Sequence, residues 1–171
     1  LSRMPERVIQ MGSFSKILAP GLRLGYIVAP VEIARKFEQV KQATDLHTAT
    51  LTQRAVYEVV KDGFLDEHIP NIRKLYHAQA QAMLGALEQY MPNSVTWNQP
   101  AGGMFLWLQL PAGVDSEEIL EKALARNVAY VPGVPFYANE PARNTMRLAF
   151  VTVPEDKIRE GVKVLGEVFG G

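Results

Sequence analysis

Residues 12–26 have the sequence GSFSKILAPGLRLGY, in which Lys16 follows an apolar run through a loop of small residues. The run from Val8 to Phe14 predicts a buried strand, and the run from Leu24 to Ala29 predicts a second strand that ends before Pro30. In open α/β sheets ligands bind just outside the ends of the strands, so Lys16 is well placed to contact a ligand. Its side-chain amine can form an imine with a carbonyl compound and can then act as general base and acid.

The neighbours of Lys16 suit a phosphate group. Ser13 supplies a hydroxyl, the loop supplies backbone N–H groups, and Arg23 supplies a planar fork that can bind phosphate through two hydrogen bonds. A turn at Pro20-Gly21 lies between Lys16 and Arg23. The Ser-x-Ser-Lys motif alone would indicate an ordinary surface loop, but Pro-Gly-x-Arg-x-Gly-Tyr follows it.

The two motifs at this spacing resemble the lysine segment of fold-type I, class I/II aminotransferases, which depend on pyridoxal 5′-phosphate (PLP). The resemblance implies that Lys16 is the catalytic residue and forms the Schiff base with PLP. It also implies that Ser13, Ser15 and Arg23 bind the cofactor together with Lys16.

A second candidate residue is Arg147, which interrupts the otherwise apolar strand sequence NTMRLAF at residues 144–150. Burying an unpaired arginine is unfavourable, so Arg147 needs an anionic partner. The resemblance implies that Arg147 binds the α-carboxylate of the amino-acid substrate through two parallel hydrogen bonds. The alternative is an arginine at a strand edge that pairs with a surface carboxylate.

Three further segments resemble the same family. Residues 100–107 (PAGGMFLW) and 128–136 (VAYVPGVPF) resemble signatures of its small domain, and residues 42–48 (QATDLHT) resemble a segment that lies near the subunit boundary in family dimers. Taken by themselves, the first two contain ordinary turns and the third is a polar loop between helices. We therefore assign no site residue to them.

Composition restricts the partners. Lys plus Arg and Asp plus Glu both number 18, so the net charge is zero and we expect no nucleic-acid partner. No apolar run approaches the roughly 20 residues that cross a bilayer, so we expect no membrane partner. The chain has no cysteine and its three histidines lack ligand spacing, so we expect no metal site and a cytoplasmic location.

The remaining pattern predicts a mixed fold. We expect helices at 30–44 and from Thr50 to about Asp62, the latter with a Thr50–Gln53 capping box. A third, long helix that ends near Tyr90 is expected either to begin or to kink at Pro70. After these we expect strands at 95–97, 104–110, 128–131 and 146–151, and helices at 116–126 and 155–169. The resulting fold class is α/β and α+β. Residues 1–75 are expected to be the C-terminal part of a large PLP-binding domain, and residues 76–171 the small C-terminal domain.

The resemblance implies transamination between an α-amino acid and a 2-oxo acid, with 2-oxoglutarate expected, in a homodimeric parent protein. The local sequence most resembles that of family members that act on aromatic, branched or 2-aminoadipate-like substrates. Family members extend further on the N-terminal side, and no residue here matches their pyridinium-binding acid, their stacked aromatic residue or their glycine-rich phosphate loop. We therefore expect this chain to be a fragment that is inactive alone and holds PLP weakly. Two alternatives are the sensor domain of a DNA-binding transcription regulator and a PLP-dependent β-eliminating lyase.

Overall fold

The computed structural model describes residues 4–170, which form two compact units that divide between Asn71 and Ile72. The division falls inside one long helix, Phe64–Tyr90. The sequence analysis put the boundary a few residues later, between residues 75 and 76. Within residues 4–170, no helix is both long and apolar enough to cross a membrane.

The first unit contains the two strands expected on either side of Lys16, both shorter than expected. Strand β1 is Gln10–Ser13 and strand β2 is Gly25–Val28, joined by a turn and a 3-10 helix at Pro20–Leu22. They pair antiparallel, with Ser13 opposite Gly25. The expectation that the first strand is buried is wrong for this structure, because no residue of β1 is fully covered and Met11 is 78% exposed.

Helix α1 (Val31–Asp45) and helix α2 (Thr50–Val60) confirm the two expected helices. The expected capping box is wrong, because Ala49 is the N-cap of α2 and no side chain caps the helix. Gln53 instead donates through Nε2 to the carbonyl oxygen of Thr48, at 2.8 Å. The side-chain amide thus reaches a backbone acceptor that lies before the helix.

Helix α3 (Phe64–Tyr90) begins upstream of Pro70, which lies inside it. A proline inside a helix cannot donate to the carbonyl group four residues earlier, and its ring presses against that carbonyl. Asp66 and Glu67 lie in the first turn, where the positive end of the helix dipole favours carboxylates. Of the two positions expected for Pro70, the start of the helix is therefore wrong, and the proline lies within the helix.

The second unit is an antiparallel sheet with two helices, together with the rest of α3. The strands are β3 (Thr96–Trp97), β4 (Phe105–Gln109), β5 (Val131–Pro132) and β6 (Thr145–Ala149), in the order β3-β4-β6-β5. The helices are α4 (Ser116–Leu124) and α5 (Glu155–Gly170). This arrangement confirms an α+β unit, although β5 begins at the last residue of the strand expected at 128–131.

The core lies on one face of the two inner strands. Leu106, Leu108, Met146 and Leu148 are each at most 4% exposed, and they cluster with apolar residues of α3 and α5. Successive side chains of a strand point to opposite faces. The alternate residues of β4 and β6, which include Arg147, therefore lie on the other face.

A close contact at Gly133 attaches the segment after β5 to β6. The Gly133 N–H donates to the carbonyl oxygen of Thr145 at 2.7 Å, and a Cβ at this glycine would lie 1.9 Å from Thr145 Oγ1. No larger residue fits without displacing the strand. A 3-10 helix, Val134–Phe136, begins directly after this contact, which places Phe136 on the Arg147 side of the sheet.

Candidate functional site

Lys16 lies in a compact turn that follows β1. The Phe14 N–H donates to the carbonyl oxygen of Leu24 at 3.0 Å, and the carbonyl oxygen of Phe14 accepts from the N–H groups of Leu18 and Ala19 at 2.8 and 3.2 Å. These bonds close the loop around Lys16. The lysine side chain is exposed and takes part in none of the ion pairs found within residues 4–170. Its amine is therefore available to a ligand.

The serine hydroxyl expected beside the lysine is at the end of β1. Ser13 Oγ accepts a hydrogen bond from the backbone N–H of Ser15 at 3.2 Å. A hydroxyl that accepts in this way keeps its own hydrogen, which can still be donated to a phosphate oxygen. Ser15 contributes its backbone N–H to the turn and lies one residue before Lys16.

Arg23 ends the 3-10 helix in a left-handed conformation, with φ 50° and ψ 38°. Both its backbone N–H and its Nη1 donate to the carbonyl oxygen of Pro20, at 3.3 and 3.0 Å. One guanidinium edge is thereby held, and the remaining N–H groups can still bind an anion. The hydroxyl, guanidinium and amine on this single connection between β1 and β2 are the donor set that a phosphate-bearing carbonyl compound requires, so these residues fit PLP.

Two glycines allow the strands that carry this loop to pair closely. A Cβ at Gly12 would lie 2.2 Å from the ring of Tyr26, and a Cβ at Gly25 would lie 2.8 Å from the carbonyl oxygen of Gly12. The Tyr26 ring also packs against Phe14, with 5.8 Å between the ring centroids. Glycines at these positions therefore hold the two ends of the lysine loop together.

Arg147 lies on β6, an inner strand of the second unit, opposite Trp107 on β4 and Val131 on β5. Its Cζ atom is 4.1 Å from the ring centroid of Phe105 and 4.7 Å from that of Phe136. The alternative of an edge-strand arginine paired with a carboxylate is wrong, because β6 is an inner strand and none of the ion pairs within residues 4–170 includes Arg147. Carboxylate binding by Arg147 stays a prediction.

The sequence analysis missed the aromatic residues around Arg147. Trp107 contacts Phe136 edge to face, with 5.5 Å between centroids and 85° between the rings, and lies 6.3 Å from the Tyr137 ring. The available signal was the alternation of Phe105 and Trp107 on one face of β4. That signal does not reveal which arginine they meet.

Asp115 and Tyr130, two groups of the second unit with shifted pKa values, lie near the N-terminus of α4. Asp115 accepts a hydrogen bond from the backbone N–H of Glu117 at 2.8 Å, and its ion pair with Arg143 lowers the pKa of its carboxyl group. Tyr130 donates to the carbonyl oxygen of Ser116 at 2.6 Å, and burial raises the pKa of Tyr130 to about 12. These groups join α4 to the segments before β5 and β6, which is a structural role.

The predicted site residues thus fall into two groups, one in each compact unit. Ser13, Ser15, Lys16 and Arg23 share the connection between β1 and β2 in the first unit. Arg147 lies on the sheet of the second unit. The first group fits a phosphate-bearing carbonyl cofactor, and the second presents a cation among aromatic rings.

The lysine loop and the arginine on the sheet are the two features on which the resemblance to PLP-dependent aminotransferases was based. The family described as aminotransferase class I and II matches residues 1–165, and the chain therefore belongs to that family. The chain is 53% identical over 161 residues to the aromatic-amino-acid aminotransferase 1 of Thermococcus litoralis, covering 94% of this chain and 39% of that protein.

Two similar solved structures carry groups related to PLP. An α-aminoadipate aminotransferase from Thermus thermophilus, in complex with N-(5′-phosphopyridoxyl)-L-leucine, has a TM-score of 0.92 and 46% identity, covering 96% of this chain and 42% of that one. A kynurenine aminotransferase from Pyrococcus horikoshii, in complex with PMP, has a TM-score of 0.91 and 52% identity, covering 96% and 41%. These structures confirm the fold-type I class, and the bound groups and the family indicate PLP as the cofactor. The chain spans about 40% of the length of these relatives.

A more distant likeness concerns regulators. The chain is 31% identical over 159 residues to an uncharacterized HTH-type transcriptional regulator of Bacillus subtilis, covering 93% of this chain and 33% of that protein. The chain is therefore similar both to proteins described as aminotransferases and to a protein described as a regulator.

Proposed function

We propose that the protein containing this chain transfers an amino group between an α-amino acid and a 2-oxo acid. The observation that carries the proposal is the exposed Lys16 in a hydrogen-bonded loop between Ser13 and Arg23. Bound PLP supplies an electron sink for the electron pair that is left at the substrate Cα when its proton is removed. Every other role falls to residues of the protein.

Each residue of the loop has a distinct role in this proposal. Lys16 would hold the cofactor through Nζ, and its free amine would move a proton at the substrate Cα. Arg23 binds the cofactor phosphate with the N–H groups that Pro20 leaves free, and the Ser13 hydroxyl donates to the same phosphate. Ser15 holds the Ser13 oxygen through its backbone N–H.

Arg147 is the proposed binding residue for the substrate α-carboxylate. Its support is a guanidinium that lies among aromatic rings without a carboxylate in the ion pairs of residues 4–170. A planar fork binds a carboxylate through two parallel hydrogen bonds, which an ammonium group cannot reproduce.

The finer assignments are also proposals. Similarity to aromatic-amino-acid, α-aminoadipate and kynurenine aminotransferases supports an aromatic or 2-aminoadipate-like amino donor, with 2-oxoglutarate as acceptor. We propose that residues 1–75 belong to the large PLP-binding domain and residues 76–171 to the small domain of a cytoplasmic homodimer.

Trapping the cofactor on the protein tests the role of Lys16. Borohydride reduction of the PLP-loaded full-length protein, followed by peptide mapping, should place the pyridoxyl group on Lys16. Lys36→Arg is the matched control, because Lys36 is an exposed lysine of α1 whose amine donates to Gln39, and this variant should be labelled like the parent. Labelling of Lys36 or Lys41 in place of Lys16 would disprove the assignment.

The second candidate function is a PLP-binding sensor domain of a transcription regulator, which the likeness to the Bacillus subtilis protein supports. A sensor needs Lys16 and the phosphate-binding residues but no turnover. Measured conversion of a 2-oxo acid to its amino acid by the full-length protein distinguishes the two functions. Turnover supports the enzyme, whereas Lys16 labelling without turnover supports the sensor.

A further inference from the structure

The guanidinium of Arg147 is restrained by aromatic rings rather than by polar groups. Its Cζ lies 4.1 Å from the centroid of Phe105 and 4.7 Å from that of Phe136. None of the side-chain hydrogen bonds and ion pairs found within residues 4–170 uses this guanidinium. A long side chain without such contacts would otherwise sample many rotamers.

Aromatic rings can order an arginine without occupying it. A guanidinium within about 6 Å of a ring centroid is attracted by the negative face of the ring. This attraction uses the charge of the cation and requires none of its N–H donors. The N–H groups of Arg147 therefore remain available for a carboxylate.

The two rings are themselves held by the sheet. Phe105 is on β4, opposite Ala149 of β6. Phe136 ends the 3-10 helix that starts at the Gly133 contact with Thr145, and Trp107 packs edge to face against it. Phe105 is thus held by the strand that flanks β6, and Phe136 by a 3-10 helix that is attached to β6 through Gly133.

We propose that Phe105 and Phe136, here termed the aromatic pair, are positioning residues that hold the Arg147 guanidinium in the orientation in which it binds the substrate carboxylate. The inference rests on the proposed function, since the carboxylate is the ligand that Arg147 is assigned there. A guanidinium that is ordered before binding loses less entropy when the carboxylate arrives. The aromatic pair therefore raises affinity for the substrate and leaves the chemical step unchanged.

Kinetics of the full-length, PLP-loaded protein give the first test. Phe105→Leu and Phe136→Leu keep an apolar side chain and remove the ring, whereas Phe105→Tyr and Phe136→Tyr keep the ring as matched controls. Each Leu variant should raise KM about 3- to 10-fold, for aromatic and aliphatic amino acids alike, with kcat and the cofactor spectrum preserved. The Tyr variants should keep the parent KM. Phe136 is 47% exposed, so its Leu variant should fold normally.

A combination with Arg147→Lys shows whether the rings act through the arginine. An ammonium group is a compact charge without a plane to orient. The effect of each Leu variant on KM should therefore fall below about 2-fold in the Arg147→Lys background. A full effect in that background would mean that the rings act without Arg147, and the proposal would be wrong.

Arginine NMR provides a readout that needs no turnover. The order parameter of the Arg147 Nε–Hε bond, from ¹⁵N relaxation, should fall in the Leu variants and be retained in the Tyr variants. The opposite result would be an unchanged order parameter in the Leu variants, with KM raised only for aromatic amino acids. It would show that the rings contact the substrate directly, and it would overturn the positioning role. A protein without transaminase activity whose Leu variants still lose order at Arg147 would support the positioning role while refuting the proposed function.

Discussion

Arg147 illustrates how a single residue acquires a role from its surroundings. It lies on an inner strand, its apolar neighbours along β6 face the core, and its guanidinium contacts Phe105 and Phe136. None of the ion pairs within residues 4–170 includes Arg147, so its guanidinium can still form two parallel hydrogen bonds to a carboxylate. A substrate carboxylate would accept these two hydrogen bonds.

Replacing Arg147 by lysine should therefore weaken substrate binding while preserving the positive charge. The loss of a charge-assisted, bidentate contact corresponds to about 2–3 kcal/mol, or roughly 30- to 150-fold in kcat/KM. This loss in kcat/KM should appear mainly as a higher KM for the amino acid. The absorption spectrum of the bound cofactor should stay unchanged.

Arg143→Lys is the matched control for this substitution, because Arg143 is an exposed arginine whose partners are Asp115 and Glu117. It should leave KM at the parent value. Parent-like kinetics of Arg147→Lys with the preferred amino acid would refute the carboxylate-binding role.

At the scale of the element, the N-terminus of α4 depends on one carboxylate with two functions. Asp115 is the N-cap and accepts from the backbone N–H of Glu117 through Oδ1, while Oδ2 pairs with Arg143 Nε. The helix dipole also favours a negative charge at this end. One side chain thereby connects the start of α4 to the segment before β6.

The substitutions Asp115→Asn and Asp115→Ala separate these functions. Asn keeps a capping acceptor and loses the ion pair, whereas Ala loses both, so Tm should fall in the order parent, Asn variant, Ala variant, by several degrees in total. Thermal unfolding monitored by circular dichroism measures the series. Equal Tm values for the two variants would show that the cap contributes nothing.

The same carboxylate makes the stability of this element dependent on pH. The ion pair with Arg143 lowers the pKa of Asp115 in the folded state below its unfolded value of about 3.9. Its stabilising contribution is therefore complete above the unfolded pKa and is lost as the pH falls through the lower folded pKa. The Asn variant should lack this part of the acid dependence below about pH 4.

At the scale of the whole molecule, the buried apolar side chains are distributed unequally between the units. Every fully buried hydrophobic residue of the described chain except Val56 lies after Ile72. In the first unit, large apolar side chains such as Met11, Leu46 and Leu51 are more than 70% exposed. The lysine loop therefore belongs to the part of the chain with the least core of its own.

We expect the 171-residue chain by itself to bind PLP weakly and to show no transaminase turnover. Ser13 and Arg23 supply part of a phosphate site, but a loop on a thin core orients Lys16 poorly, and proximity without orientation gives little catalysis. Titration with PLP, followed by absorbance, and a 2-oxoglutarate assay measure the two parts of this expectation.

Amide hydrogen exchange on the same sample provides the internal control. The amides of β1 and β2 should exchange with little protection, while those of β4 and β6 should be strongly protected. Stoichiometric PLP binding with measurable turnover would contradict the expectation, and strong protection of β1 would remove its physical basis.

Local patterns in the sequence were sufficient to predict most elements and the lysine loop. Helical spacing predicted α1, α2 and most of α3, and apolar runs predicted β1, β2, β4 and β6, because these signals depend on neighbours a few positions apart. The sequence around Lys16 also predicted its candidate partners Ser13 and Arg23, which lie within ten residues of it. Each of these inferences needed only short-range chemistry.

Tertiary structure decided the features that depend on contacts between distant residues. The extent of β5 depends on its pairing with β6, which is a distant segment of the chain. The surroundings of Arg147 depend on Phe105 and Phe136, which belong to other segments. The exposure of β1 and β2 depends on which other layers cover them. Periodicity states which face of an element is apolar, but it does not state what packs against that face, because packing partners are selected by the whole chain.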